Sequence, residues 1–106
     1  MDTLFATLVE PNRRRILDLL RDGHRSVNEI VAALGLSQPA VSKHLRILKE
    51  AGLVEVRPDA QRRLYALRPE RLSELDDWLT PYRHLWEQHL DALERHLDTM
   101  PDIEEI

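Results

Sequence analysis

The sequence contains no cysteine, and glycine occurs only three times in 106 residues. The absence of cysteine excludes disulfide bonds, a thiol nucleophile, a zinc finger and any metal site built on thiolates. With so few glycines there is no GxGxxG or Walker pattern to cradle a phosphate group. No apolar run approaches the ~20 residues of a membrane span, and no signal-like apolar segment begins the chain, so a cytoplasmic protein is expected.

The net charge of −4 is unevenly distributed along the chain. Residues 1–71 contain thirteen basic and nine acidic side chains, a balance of +4, whereas the remainder contains two basic and ten acidic ones, a balance of −8. A partner responds to the local electric field rather than to the net charge, so the first part can still offer a basic surface to phosphate groups. Two solvated surfaces of opposite sign would give the same pattern, and charge alone does not separate these interpretations.

A helix-turn-helix is predicted at residues 26–51. Ser26 is suited to cap the start of a helix, and Glu29 three residues later completes a capping-box pattern. That helix ends at Gly35, and Ser37 is suited to cap the next one, with a proline in its first turn. Two helices joined by so short a turn, and preceded by another helix, are typical of this motif.

Two short apolar segments, 53–56 and 64–67, flank turn-forming residues and arginines at 57–63. This pattern predicts a two-stranded hairpin, the wing of a winged helix, over 53–68. A hairpin of this length is only marginally stable alone, so we expect it to pack on the helices.

Residues 70–100 carry apolar side chains at steps of three or four, which predicts a long helix. Its single interruption, Thr80-Pro81, indicates either a kink or a new helix start. The fold is therefore predicted to be mainly α with a small β-hairpin. One winged helix-turn-helix domain is expected over 1–100, with a tail at 101–106, because two independent cores need a longer chain.

The helix predicted over 37–51 has an apolar and a polar side. At 100° per residue, Val41, Leu45 and Leu48 fall together on the apolar side. The opposite side bears no carboxylate before Glu50, which is the character of a helix that enters the major groove of DNA. The alternative is an ordinary solvated helix face. The residues predicted to contact DNA from this helix are Ser37, Gln38, Pro39, Ser42, Lys43 and Arg46.

Arginines outside this helix are further candidates for DNA contacts. Arg62 and Arg63 at the wing tip suit a minor-groove or phosphate contact, although a charged turn that keeps an edge strand soluble would look the same. The three arginines at 13–15 could reach flanking phosphates, but a run on a helix covers all faces, so at least one is expected to do something else. His44 lies beside the apolar side and is expected to pack or bond to the backbone rather than to read bases.

Three segments carry a resemblance to a known family: PNRRRIL at 11–17, LSQPAVSKHL at 36–45 and AGLV at 51–54. They resemble the ArsR-type winged-helix transcriptional repressors of bacteria and archaea, and the similarity covers nearly the whole chain. The resemblance implies a homodimer that binds an imperfect inverted repeat, with the first and last helices, here about 2–9 and 70–100, at the interface. By motif match, the groove-reading positions of the family fall on Gln38, Pro39, Ser42, Lys43 and Arg46.

The sequence departs from the metal-sensing members of that family. Those members carry a cysteine pair on the helix before the recognition helix, and the equivalent residues 27–31 contain none. The last helix carries histidines and acids whose spacing does not match the second metal-binding pattern: His84, Glu87, His89, Asp91 and His96. The resemblance is therefore to the branch without a recognised metal site. No metal or cofactor is expected, and these histidines are interpreted as surface or interface polar residues.

The leading hypothesis is a dimeric, sequence-specific repressor that binds double-stranded DNA. An apolar last helix that one short chain cannot fully bury indicates a second copy of the chain. The residues predicted at the dimer interface are Leu4, Phe5, Leu8, Leu79, Tyr82, Trp86, Leu90, Leu93 and Leu97.

Two other functions remain open from the sequence. The chain could be a protein-interaction module that keeps the winged helix without binding DNA and uses its acidic C-terminal third. It could instead be a repressor released by a small organic ligand near Trp78, Tyr82 and Trp86, although such a cluster is more often dimer core. An enzyme is not expected, because Ser42 and His44 project from different helix faces and cannot form a nucleophile–base pair.

Overall fold

The computed structural model describes residues 1–100, and the tail predicted at 101–106 lies outside the described residues. Its helices are α1 (Asp2–Val9), α2 (Pro11–Leu20), α3 (Val27–Leu34), α4 (Gln38–Glu50) and α5 (Leu72–Thr99). Its strands are β1 (Arg25–Ser26), β2 (Val54–Asp59) and β3 (Arg62–Leu67), and a short 3-10 turn at Pro69–Arg71 precedes α5. Residues Met1–Glu74 form one compact unit, and a second begins at Leu75. The predicted fold class, mainly α with a small β-hairpin, is confirmed.

Capping side chains begin both helices of the helix-turn-helix. At α3 the backbone N–H of Glu29 donates to Ser26 Oγ and the N–H of Ser26 donates to Glu29 Oε1, each at 3.2 Å. At α4 the N–H of Ala40 donates to Ser37 Oγ at 3.3 Å. Gly35 ends α3 with a φ of +68°, a left-handed conformation that glycine adopts at little cost. Both predicted N-caps are confirmed, and only three residues separate α3 from α4.

The core of Met1–Glu74 holds α4 in one orientation. Its side chains predicted to point inward, Val41, Leu45 and Leu48, are fully buried. Burial of one such side chain contributes about 1.5–3 kcal/mol, so turning α4 about its axis would be costly. The other fully buried large side chains in the described range are Leu4, Ile16, Ile30, Leu53 and Val54.

The sheet contains a third strand, which corrects the two-stranded hairpin expected from the sequence. β1 pairs with β3, with Arg25 opposite Tyr65 and Ser26 opposite Leu64. The strand order is β1-β3-β2, and neighbouring strands are antiparallel. A two-residue strand is too short to show an alternating pattern, so the sequence did not reveal it. This pairing joins the segment that enters α3 to the wing.

The turn of the wing is shorter than predicted. The last paired residues of β2 and β3 are Asp59 and Arg62. The turn therefore consists of Ala60 and Gln61 rather than residues 57–63. The proline within β2 is tolerated because β2 is an edge strand. Ala60 has a φ of +56°, the positive value that two-residue hairpin turns require.

α5 continues through Thr80-Pro81 as one helix, so the alternative of a new helix start there is wrong. Polar contacts surround the proline. Thr80 Oγ1 donates to the carbonyl of Asp76 at 2.7 Å, and Arg83 pairs with the Asp76 carboxylate at 2.6 Å. Across residues 1–100, no helix has both the length and the apolar character needed to cross a membrane.

Candidate nucleic-acid interface

The polar side of α4 is exposed along its whole length. Burial of Val41, Leu45 and Leu48 turns the opposite side chains to solvent. Among the residues that the structure describes, no ion pair engages Lys43 or Arg46, so neither cation is neutralised by a carboxylate of residues 1–100. The residues that the sequence predicted for this surface are all exposed: Ser37, Gln38, Pro39, Ser42, Lys43 and Arg46.

The first turn of α4 adds a further attraction for anions. Its N–H groups point toward the helix start, where the helix dipole places a partial positive charge. Ser37 uses its side-chain oxygen to cap this turn. The amide of Gln38 and the hydroxyl of Ser42 are the kinds of group that read base edges, and the cations nearby suit guanine or phosphate. The surface can therefore bind a nucleic acid through both bases and backbone.

Two arginines of the run at 13–15 hold helix ends in place. Arg14 donates to the carbonyls of Leu8 and Val9 at the end of α1, at 2.6 and 3.0 Å. Arg15 donates to the carbonyl of Leu34 at the end of α3, at 3.2 Å. These bonds satisfy carbonyls that a helix end leaves unpaired. The expectation that at least one of the three arginines does something other than contact phosphate is confirmed.

His44 lies against the start of α2 rather than on the exposed side of α4. Its Nε2 is 3.9 Å from Oε2 of Glu10, and its side chain is only 16% exposed. The same carboxylate oxygen accepts the backbone N–H of Arg13 at 3.0 Å and so caps α2. His44 therefore packs between helices, as the sequence predicted.

The tip of the wing and the start of α4 line one polar cleft of about 320 Å³. Gln38 comes from α4, and Arg62 and Arg63 come from β3. The sequence predicted these residues separately, and the fold brings them together. Asn28 of α3 and Gln61 of the turn also line the cleft, and the sequence analysis missed both. Their polarity was visible, but only the pairing of β1 with β3 places the start of α3 beside the wing.

The two wing arginines differ in their surroundings. Arg62 pairs with Asp59 Oδ2 at 3.1 Å and lies 3.9 Å from Glu29 Oε1. Arg63 is exposed, and within residues 1–100 no ion pair engages it. The backbone N–H and the side chain of Ser26, and more weakly the charge of Arg62, hold the pKa of Glu29 below its usual value. Glu29 is thus an anion at neutral pH, set beside the cleft.

α5 presents an exposed stripe of large apolar side chains. Of the residues predicted at a dimer interface, Tyr82 and Trp86 are more than half exposed. Leu79 is half-buried, and Leu90, Leu93 and Leu97 are exposed.

In Met1–Glu74, the three predicted interface residues of α1 differ in exposure. Phe5 is exposed and Leu8 is half-buried. Leu4 is fully buried in the core of this unit, so its side chain offers no surface to a partner.

The aromatic and histidine side chains of α5 contact one another along the helix. The rings of Trp78 and Tyr82 are 5.0 Å apart, and His89 stacks on Trp86 with ring centroids 5.7 Å apart. Over residues 1–100, no three histidine, aspartate or glutamate side chains come together in a group that could hold a metal ion. The polar residues of α5 therefore supply no assembled ligand shell within the described chain.

Comparison with known proteins gives one consistent result. The model of a family described as "Bacterial regulatory protein, arsR family" matches residues 10–56. The HTH-type transcriptional regulator Rv2034 of Mycobacterium tuberculosis is 36% identical over 95% of this chain and 92% of its own length. The transcriptional repressor SdpR of Bacillus subtilis is 33% identical over 74% of this chain and 88% of its own length. The solved structure of an ArsR-like transcriptional regulator from Rhodococcus sp. RHA1 has a TM-score of 0.70 and 26% identity, covering 93% of each chain.

Proposed function

Because the chain belongs to the arsR family of bacterial regulatory proteins, and is therefore a transcriptional regulator and not an enzyme, we propose that it is a homodimeric repressor of the cytoplasm. In this proposal the dimer binds an inverted repeat in double-stranded DNA, with α4 of each subunit in the major groove. Residues 1–100 act as one DNA-binding domain.

The exposed side of α4, which bears no carboxylate before Glu50 in the last turn, is the observation that carries the proposal. Lys43 and Arg46 have no anionic partner among the described residues, so they can bind phosphate or guanine without breaking an ion pair. Gln38 and Ser42 lie on the same side and can donate to and accept from base edges. The polar cleft beside Gln38 would receive the sugar–phosphate backbone next to the groove.

The exposed apolar stripe of α5 supports self-association. Exposure of apolar side chains such as Trp86 and Leu93 to water is unfavourable. A second copy of the chain offers the same apolar stripe, so the two stripes can cover each other around a two-fold axis. A symmetric dimer would present its two α4 helices about 34 Å apart, one turn of DNA. The similar protein SdpR is a transcriptional repressor, which favours repression over activation for this chain.

Selection of tight binders from random duplexes tests the proposal directly. We expect enrichment of an inverted repeat, and binding to it that weakens steeply as salt rises, because phosphate contacts release counterions. Lys43→Ala and Arg46→Ala should each weaken binding, whereas Arg95→Ala, which removes one exposed positive charge from α5, is the matched control and should not. Absence of any enriched motif would refute the proposal and favour the protein-interaction module. Release of DNA by a small organic molecule would identify a ligand-responsive repressor.

A further inference from the structure

Arg62 bridges the wing and the first helix of the helix-turn-helix. It lies directly opposite Asp59 in the pairing of β2 with β3, and its Nη2 is 3.1 Å from Asp59 Oδ2. Its other terminal nitrogen, Nη1, is 3.9 Å from Oε1 of Glu29 on α3. That same oxygen accepts the backbone N–H of Ser26 at 3.2 Å, so the carboxylate is fixed by the start of its own helix. The guanidinium of Arg62 therefore has a carboxylate on the wing and a carboxylate on α3.

Arg63 has neither of these partners. Successive residues of a strand point to opposite faces, so Arg63 lies on the other face of β3. The residue opposite it on β2 is Pro58, which carries no charge. Both arginines line the cleft that Gln38 also lines, but only Arg63 is without an ion pair in the described part of the chain, and it is exposed.

We infer that Arg62 and Arg63 have different roles in the wing. Arg62 is a positioning residue that holds the wing tip against α3, and Arg63 is the residue that contacts a DNA phosphate. If Arg62 turned to a phosphate, it would leave the carboxylates of Asp59 and Glu29 unpaired beside a polyanion. Arg63 can bind the phosphate with no such loss. The inference rests on the proposed DNA binding.

The salt dependence of DNA binding separates a phosphate contact from a positioning role. Each phosphate contact contributes about 0.9 to the slope of log K against log salt, so Arg63→Ala should lower the slope by about 1.8 in a dimer with two wings. Arg62→Ala should leave the slope unchanged and weaken binding by no more than about fivefold, since exposed ion pairs contribute little. Arg62→Lys, which keeps the charge, should restore most of that loss. An equal fall in slope for Arg62→Ala and Arg63→Ala would overturn the inference.

Amide hydrogen exchange of the free protein tests the positioning role without DNA. Arg62→Ala should speed exchange of the wing residues 59–64, and Arg63→Ala should not. Glu29→Gln keeps an oxygen that can accept from Ser26 but removes the charge, so it should speed the same amides. The double variant Arg62→Ala, Glu29→Gln should show no more than the larger single effect, because both changes break the same contact between Arg62 and Glu29.

The two measurements distinguish a failure of the positioning role from a failure of the proposed DNA binding. Unchanged wing exchange in Arg62→Ala would refute the positioning role even if DNA binding were established. Faster exchange in a protein that binds no duplex would refute the proposed function and the phosphate contact of Arg63, while supporting the bridge from Arg62 to α3.

Discussion

Replacing Trp86 by alanine is expected to weaken self-association of the chain by several hundred-fold. Trp86 lies on the apolar stripe of α5 and is 58% exposed in the single chain. A tryptophan can bury roughly 250 Å², so about 145 Å² of this side chain is available to a partner. At ~25 cal/mol per Å² its full coverage would contribute about 3.6 kcal/mol per subunit, or about 7 kcal/mol for the two copies in a dimer.

A real interface covers only part of the exposed Trp86 surface. If half of it is covered, Trp86→Ala should lower the free energy of dimerisation by about 3.5 kcal/mol for the two copies together. That loss corresponds to a rise in the dimer Kd of roughly 400-fold. Sedimentation equilibrium over a concentration series measures the Kd of the wild type and of Trp86→Ala. Arg95→Ala, a change at an exposed cation of the same helix, is the control and should leave the Kd within about threefold of the wild-type value.

Two results would refute this reasoning. The first is a wild-type chain that remains monomeric at the highest concentration, because the exposed stripe would then have another partner. The second is a Trp86→Ala variant with the wild-type Kd, which would place the interface elsewhere. If the prediction holds, Trp86→Ala should also bind a full inverted repeat no more tightly than a half-site, because a lone subunit reads one half.

Three further predictions concern stability and pH. Gly35→Ala should lower the free energy of unfolding by about 1 kcal/mol in urea denaturation, because φ at this position is +68° and a Cβ is strained there. Ala60→Gly should raise the free energy of unfolding by about 0.5–1 kcal/mol, because the strain that glycine removes at this positive φ exceeds its entropic cost. A lower urea midpoint would contradict this expectation. Since the pKa of Glu29 lies below its unfolded value of 4.5, its ionised form stabilises the fold above that pH, and the contribution is lost as pH falls through the folded pKa. Acid unfolding followed by circular dichroism should therefore show a smaller loss of stability below pH 4.5 in Glu29→Gln than in the wild type.

The candidate interface could be predicted from the sequence where its determinants are local. The polar side of α4 follows from the positions of Val41, Leu45 and Leu48 alone, because helical periodicity relates residues three and four apart. The N-caps at Ser26 and Ser37 form bonds within three residues, so their signals lie in short stretches of sequence.

The relation between the wing and the rest of the site could not be predicted in this way. Arg62 and Glu29 are far apart in sequence, and Arg25 meets Tyr65 only because β1 adds to the sheet. From the sequence alone, the three arginines at 13–15 could not be told apart. In the structure, Arg14 donates to carbonyls at the end of α1 and Arg15 donates to a carbonyl at the end of α3.

The sequence by itself determined which helices form, where they start, and which side of α4 faces water. These depend on hydrophobic periodicity and on capping side chains a few residues away. Tertiary structure alone decided which arginine is paired, which polar side chains share the cleft, and that Leu4 is buried rather than offered to a partner. Those outcomes depend on contacts between segments distant in the chain, and such contacts leave no periodic signal in the sequence.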